Sequence, residues 1–186
     1  MNSKPFTGIR YLLQDQISPQ SGAGETLRAL LRGLFVVRHL STLLFRASQS
    51  CGRRVPALGA LLKQTNHVIT GADLAWQAEV GRGLVLHHPT GVVWGPGVCI
   101  GRACRVQQGV TLGGSGSKTA DGSPTIGDEV IIGAGAKVIG PVSVGSNSTI
   151  GANAVVLSDV PDHSIAVGVP ARTRKANADR SEGVQE

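Results

Sequence analysis

The chain has 186 residues, enough for one sizeable domain with a small helical addition and too few for two independent cores. Glycine reaches 26 residues while aromatics make up only 3%, which excludes an ordinary aromatic-filled core and gives small residues a regular structural job. The formal charge of +6 raises nucleic-acid binding, but the basic residues gather in the first third and the tail without stacking aromatics, so that class is excluded.

Residues 1 to 24 end in Ser18-Pro19-Gln20-Ser21-Gly22, which reads as loop, with at most a short helix over Tyr11 to Gln16. No signal-peptide pattern opens the sequence. From Thr26 to Ser50 the residues Leu27, Leu30, Leu31, Leu34, Val37, Leu40 and Leu44 recur at helical steps and predict a helix with one apolar face. Arg28, Arg32 and Arg46 mostly lie off that stripe, and Arg28, Arg32 and Arg38 break the run Leu27 to Phe45 too often for a membrane span. The stripe is expected to pack on the body or on a neighbouring subunit, with a membrane surface as the alternative. A second, shorter helix is predicted over Pro56 to Gln64, with Pro56 in its first turn.

After Gly71 the period changes to six. Ile126, Ile132, Val138, Val144, Ile150 and Val156 fall six apart, and Val130, Ala136, Val142, Ser148 and Ala154 each follow one of them by four. Such spacing suits short strands joined by tight turns, with the aliphatic residue inward and the following glycine easing the turn. Three hexads close one triangular coil, and stacked coils bury a ladder of Ile and Val. Val80 and Leu86, then Trp94, Ile100, Val106 and Leu112 extend the series backwards.

Two irregularities stand out. The step from Leu86 to Trp94 is eight, so two extra residues enter around His87-His88-Pro89-Thr90-Gly91. Between Leu112 and Ile126 a polar, glycine-rich stretch is expected to form an excursion loop, 113–125, acting as a flap beside the histidine bulge. Breaks in a repeat are where function tends to be added. Cys51, Cys99 and Cys104 are odd in number and lack metal-ligand spacing, so neither a disulfide scaffold nor a metal site is expected, and a reducing cytoplasm fits.

Gly81-Arg82-Gly83 leading to His88-Pro89-Thr90-Gly91, Gly109-Val110-Thr111-Leu112-Gly113-Gly114, Ile132-Gly133-Ala134-Gly135-Ala136-Lys137 and Gly168-Val169-Pro170-Ala171-Arg172 resemble the hexapeptide-repeat acyltransferases of the serine acetyltransferase type. The resemblance covers about residues 71 to 172. It implies a mainly β fold: a left-handed parallel β-helix over 71–170, preceded by a small α-helical region over 1–70 and followed by a basic, mobile tail over 171–186. It also implies acetyl-CoA as co-substrate and a homotrimer with active sites between subunits, and leaves open whether trimers pair. The chemistry is acyl transfer from a thioester to a hydroxyl, whose proton a neutral imidazole can accept. By the family motif His88 is the general base and Asp73 the carboxylate that orients it. Gly113 and Gly114 are candidate oxyanion donors. Ala134 and Ala152 resemble acetyl-CoA contacts, and Arg172 and Lys175 are candidates to pair with the cofactor phosphates.

The departures from the family fall at the acceptor side. His87 stands where serine acetyltransferases carry an Asp, and Gly122 and Ser123 stand where they carry an Arg-His pair. His87 and Ser123 are therefore the candidate acceptor-binding residues, and a saccharide or other small hydroxyl compound is preferred over serine, because a carboxylate bound without Arg is costly. Serine O-acetylation is the alternative. A zinc-dependent carbonic anhydrase on the same fold would need three converging imidazoles, which adjacent His87 and His88 do not supply. A non-catalytic scaffold predicts that loss of His88 changes nothing.

Overall fold

The computed structural model describes residues 36–116 and 122–176, so the short helix read over Tyr11 to Gln16 and the stripe residues Leu27 to Leu34 lie outside the described residues. Two helices, α1 (Val37–Gly52) and α2 (Pro56–Thr70), precede a stack of short strands. Pro56 opens α2, which runs six residues past the expected Gln64. It stops where Gly71 takes a left-handed conformation at φ 75° and returns its N–H to the His67 carbonyl at 2.9 Å.

The strands follow the hexads. Face I is built from β1 (Asp73–Leu74), β4 (Val93–Trp94), β7 (Thr111–Gly113), β10 (Lys137–Ile139) and β13 (Val155–Val156). Face II carries β2 (Glu79–Val80), β5 (Cys99–Ile100), β8 (Thr125–Ile126) and β11 (Ser143–Val144). Face III carries β3 (Val85–Leu86), β6 (Arg105–Val106), β9 (Ile131–Ile132), β12 (Thr149–Ile150) and β14 (Ser164–Gly168), closed by antiparallel β15 (Ala171–Lys175). All other pairings are parallel, between strands three positions apart in the chain except β12 with β14, where the intervening turn of face II is only the Val144–Val160 bridge. The twelve hexad positions from Val80 to Val156 are all buried, none more than 7% exposed. Each full burial of an Ile or Val contributes roughly 1.5–3 kcal/mol, so the ladder accounts for a core nearly free of aromatics.

The corners have their own backbone order. At corner II/III the residues Gly83, Ala103, Glu129, Asn147 and His163 all have positive φ, and Ala103, Glu129, Asn147 and His163 donate their N–H to carbonyls one coil below. Arg102 and Asp128 stitch this corner, the guanidinium donating to Asp128 Oδ2 at 2.6 and 3.0 Å. Those hydrogen bonds hold the Asp128 carboxyl below its ordinary range. Coils approach closely enough that a methyl on Gly145 would overlap the Asp162 backbone nitrogen and lie 2.6 Å from the Pro161 carbonyl carbon. Gly145→Ala is expected to cost about 2 kcal/mol, because neither backbone group can yield. A thermal melt should show a drop of ~4–8 °C.

The first helix corrects its expected orientation. Val37 is half exposed, while the buried face is formed by Ser41, Thr42, Phe45, Arg46, Ser48 and Gln49, so the polar side of α1 meets the β-helix. The reason is the open end of the first coil, whose carbonyls need donors. Arg46 donates to the Val80 carbonyl at 2.8 Å and the Gly81 carbonyl at 2.5 Å, and Gln49 donates to the Ala78 carbonyl at 2.8 Å. Gln49 Oε1 accepts from Arg46 at 3.0 Å, and Phe45 packs edge-on against Trp94 with centroids 5.2 Å apart. Arg46, expected off the packed stripe, is wholly buried.

Candidate active site

The eight-residue step places its extra residues at corner III/I, between β3 and β4. His87 continues the ladder by donating its backbone N–H to the Val106 carbonyl at 2.9 Å, Pro89 is buried, and Val92 N–H closes the turn on the Pro89 carbonyl at 3.0 Å. These constraints leave His87 half-buried and His88 exposed, with no hydrogen bond to the His88 imidazole among the described residues.

Asp73 opens β1, paired in register with Val93, so it lies on the coil below the strand that follows the bulge. The pattern read from sequence is met in placement, since Asp73 and His88 flank the same corner on successive coils. It is not met in contact. Asp73 Oδ1 is buried and forms an ion pair with the Lys63 ammonium of α2, though not an aligned hydrogen bond, and no hydrogen bond joins Asp73 to His88. Sequence reasoning missed Lys63; the available signal was that it is the only fully charged residue of α2.

Corner III/I continues upward from the bulge as a ladder of its own. Gly71, Gly91, Gly109, Gly135 and Asn153 have positive φ, and Gly91, Gly109, Gly135 and Asn153 donate to the Gly71, Thr90, Gln108 and Ala134 carbonyls. This is the same conformation as at corner II/III, where alanine, glutamate, asparagine and histidine adopt it. The conformation alone therefore does not force glycine here. Nor does packing at two of these positions, where an added methyl on Gly91 or Gly109 would meet only ordinary contacts at 3.5 Å or beyond. Four of its five positions carry no side chain, which lets a ligand approach the backbone, while Asn153 Oδ1 lies over Gly135 and the Lys137 ammonium donates to the Gly109 carbonyl.

Ala134 and Ala152 sit on this corner, two and three coils above the bulge. The Ala134 amide is already spent on Gln107 Oε1 at 3.0 Å, and its carbonyl accepts from Asn153 at 2.8 Å. What remains for a ligand at Ala134 is the second carbonyl lone pair and the small side chain. The β14–β15 hairpin turns at the top of the same corner, where Val167 lies against Gly151 and pairs with Arg172. Arg172 and Lys175 are exposed on β15, Arg172 beside the hairpin and Lys175 at the strand's far end, paired with Ser164 next to His163 of corner II/III; residues 171–175, read from sequence as the start of a mobile tail, form this strand. From the bulge to the hairpin the corner rises four coil steps, or about 19 Å at strand spacing.

The second irregularity opens at the other edge of face I. Gly113 is the last residue of β7, in register with Ile139, and Thr125 already belongs to β8, so the excursion read as 113–125 is shorter at both ends. Gly114 lies against Gly122, and Ser123 Oγ lies against Gly97, all at corner I/II. Within one subunit Gly113, Gly114 and Ser123 are thus separated from His88 by the width of face I, and residues 117–121 of the expected flap lie outside the described residues. Among the described residues no group of three or more His, Cys, Asp or Glu is arranged to hold a metal ion.

A family model described as bacterial transferase hexapeptide (six repeats) matches residues 123–158. A serine acetyltransferase of Helicobacter pylori is 46% identical over 121 residues, covering 65% of this chain and 71% of that protein. One of Synechococcus elongatus is 41% identical over 120 residues, covering 64% of this chain. A solved serine acetyltransferase in complex with CoA is 30% identical with a TM-score of 0.76, covering 90% of this chain and 70% of the other. The chain belongs to the hexapeptide-repeat acyltransferases of the serine acetyltransferase type. Its body is accordingly the left-handed parallel β-helix of that family, an exception to right-handed parallel crossovers. It spans about half the length of the Synechococcus relative, 49%.

Proposed function

We propose that this chain is an acetyl-CoA-dependent O-acetyltransferase in which His88 accepts the proton of the attacking hydroxyl. The observation that carries the reading is the glycine-rich corner rising from His88 toward the β14–β15 hairpin and Arg172, parallel to a corner of like backbone that keeps its side chains. A pantetheine arm running up that corner puts its thioester at His88 and its phosphates near the basic β15. The solved relative described as a complex with CoA supports this donor.

The imidazole takes the hydroxyl proton as the oxygen attacks the acetyl carbonyl, and later delivers it to the departing thiolate. Asp73 stabilises the imidazolium from the coil below. Gly113, Gly114 and Ser123 belong to the same site in the homotrimer, where a neighbour's corner I/II would meet this chain's corner III/I. Free Cys51, Cys99 and Cys104 fit a reducing cytoplasm. Among the described residues no helix is long and apolar enough to cross a membrane.

For the acceptor, the relatives support serine over the saccharide preferred from His87, Gly122 and Ser123: they are serine acetyltransferases, and one solved neighbour, 31% identical, is complexed with serine. The second reading, a hydroxyl acceptor without a carboxylate, is kept by Gly122 and Ser123, which offer no cation to a carboxylate. Thiol release from acetyl-CoA should be measured with serine, homoserine and several sugars. Serine is expected to stimulate release most; a sugar doing so instead supports the second reading, and stimulation by none contradicts the transferase itself.

A further inference from the structure

Lys63 stands outside the family motif, on α2, ten residues before Asp73. α2 packs on β1, and its ammonium is the one cation at the buried Asp73 Oδ1 among the described residues. The titratable groups on the elements against β1 are Lys63 and His67 of α2 and His87 and His88 of the bulge. β4 brings only Val93 and Trp94, which carry no charge. The carboxylate assigned to the imidazole is therefore already half committed to a cation from another element.

We propose that Lys63 is a positioning residue that holds Asp73 at corner III/I and, by neutralising part of its charge, sets how strongly His88 binds a proton; this rests on the roles given above to His88 and Asp73. A cation paired with Asp73 takes up part of the negative charge that would otherwise stabilise the imidazolium. Removing it leaves Asp73 free to stabilise the protonated ring, so the proton affinity of His88 rises. The acid limb of kcat/KM, below which His88 is protonated and idle, then moves to higher pH. Asp73→Asn removes the group through which Lys63 acts on His88, so in that background Lys63 should matter little.

The test compares the full chain with Lys63→Met, Lys63→Arg, Asp73→Asn and the Lys63→Met/Asp73→Asn double variant. The readouts are the pH profile of kcat/KM and titration of the His88 ring signal by NMR. Lys63→Met should shift both upward by about half a pH unit or more, and Lys63→Arg should restore the original profile. The double variant should titrate within about a quarter unit of Asp73→Asn alone, since the coupling runs through the carboxylate. A His88 signal that titrates identically in Lys63→Met and the parent overturns the proposal, as does an equal shift in the presence and absence of the Asp73 carboxylate. If Lys63→Met proves unstable, the Lys63→Gln ring titration decides the same way. Failure of the reading beneath it is seen separately, as full turnover in His88→Ala, and leaves the NMR titration as a direct measure of Lys63.

Discussion

His88→Ala is expected to lower kcat by between about 100-fold and 10,000-fold, the contribution usual for a positioned general base. The Michaelis constant for acetyl-CoA should change little, because the donor lies along the glycine corner and Arg172 rather than on the imidazole. Thermal stability should also be nearly unchanged. His88 is exposed at the apex of its bulge and makes no hydrogen bond among the described residues, so nothing in the fold depends on its ring. Steady-state kinetics beside a melting curve separate the two effects. A variant that is folded, binds CoA and turns over at the parental rate would return the β-helix to the scaffold reading.

Arg46→Met carries the opposite signature. The methionine keeps much of the apolar stem but removes the donors that meet the Val80 and Gly81 carbonyls and the Gln49 amide oxygen. Each buried acceptor left without a partner costs about 1–3 kcal/mol, so a loss of about 3 kcal/mol or more is expected. The melting temperature should fall by ~6–12 °C while kcat of the folded fraction at low temperature stays near the parental value. A loss under about 1 kcal/mol would mean that water replaces the guanidinium at the first coil. Gln49→Leu, which strips the Ala78 carbonyl of its donor and Arg46 of one acceptor, should be milder.

The β-helix was legible from sequence because its cause is local and periodic. Ile126 to Val156 each point inward at the step that the six-residue repeat requires, and the structure buries them all. The helix α1 was less legible for a physical reason. Amphipathicity says which side of a helix avoids water, but Arg46 and Gln49 are buried against carbonyls of a coil end, a demand that exists only once the coil has formed. For the same reason the tail was read as mobile: strand β15 is set by its antiparallel register with β14, not by an apolar pattern of its own.

The site divides in the same way. The histidine bulge follows from counting residues between strands, and the structure sets Ala134, Ala152 and Arg172 along the corner above it. The position of Gly113 and Ser123 across face I follows from which corner an insertion leaves, which the period fixes only after the strands are assigned to faces. The pairing of Lys63 with Asp73 lies beyond sequence altogether, because it depends on how α2 is laid against β1.

The most direct measurement is a crystal structure of the protein with CoA bound. The account predicts the pantetheine arm along corner III/I, its thiol at His88, its chain passing Ala134 and Ala152, and its phosphates near Arg172 at the hairpin. CoA bound along corner II/III, or with its thiol remote from His88, would contradict it.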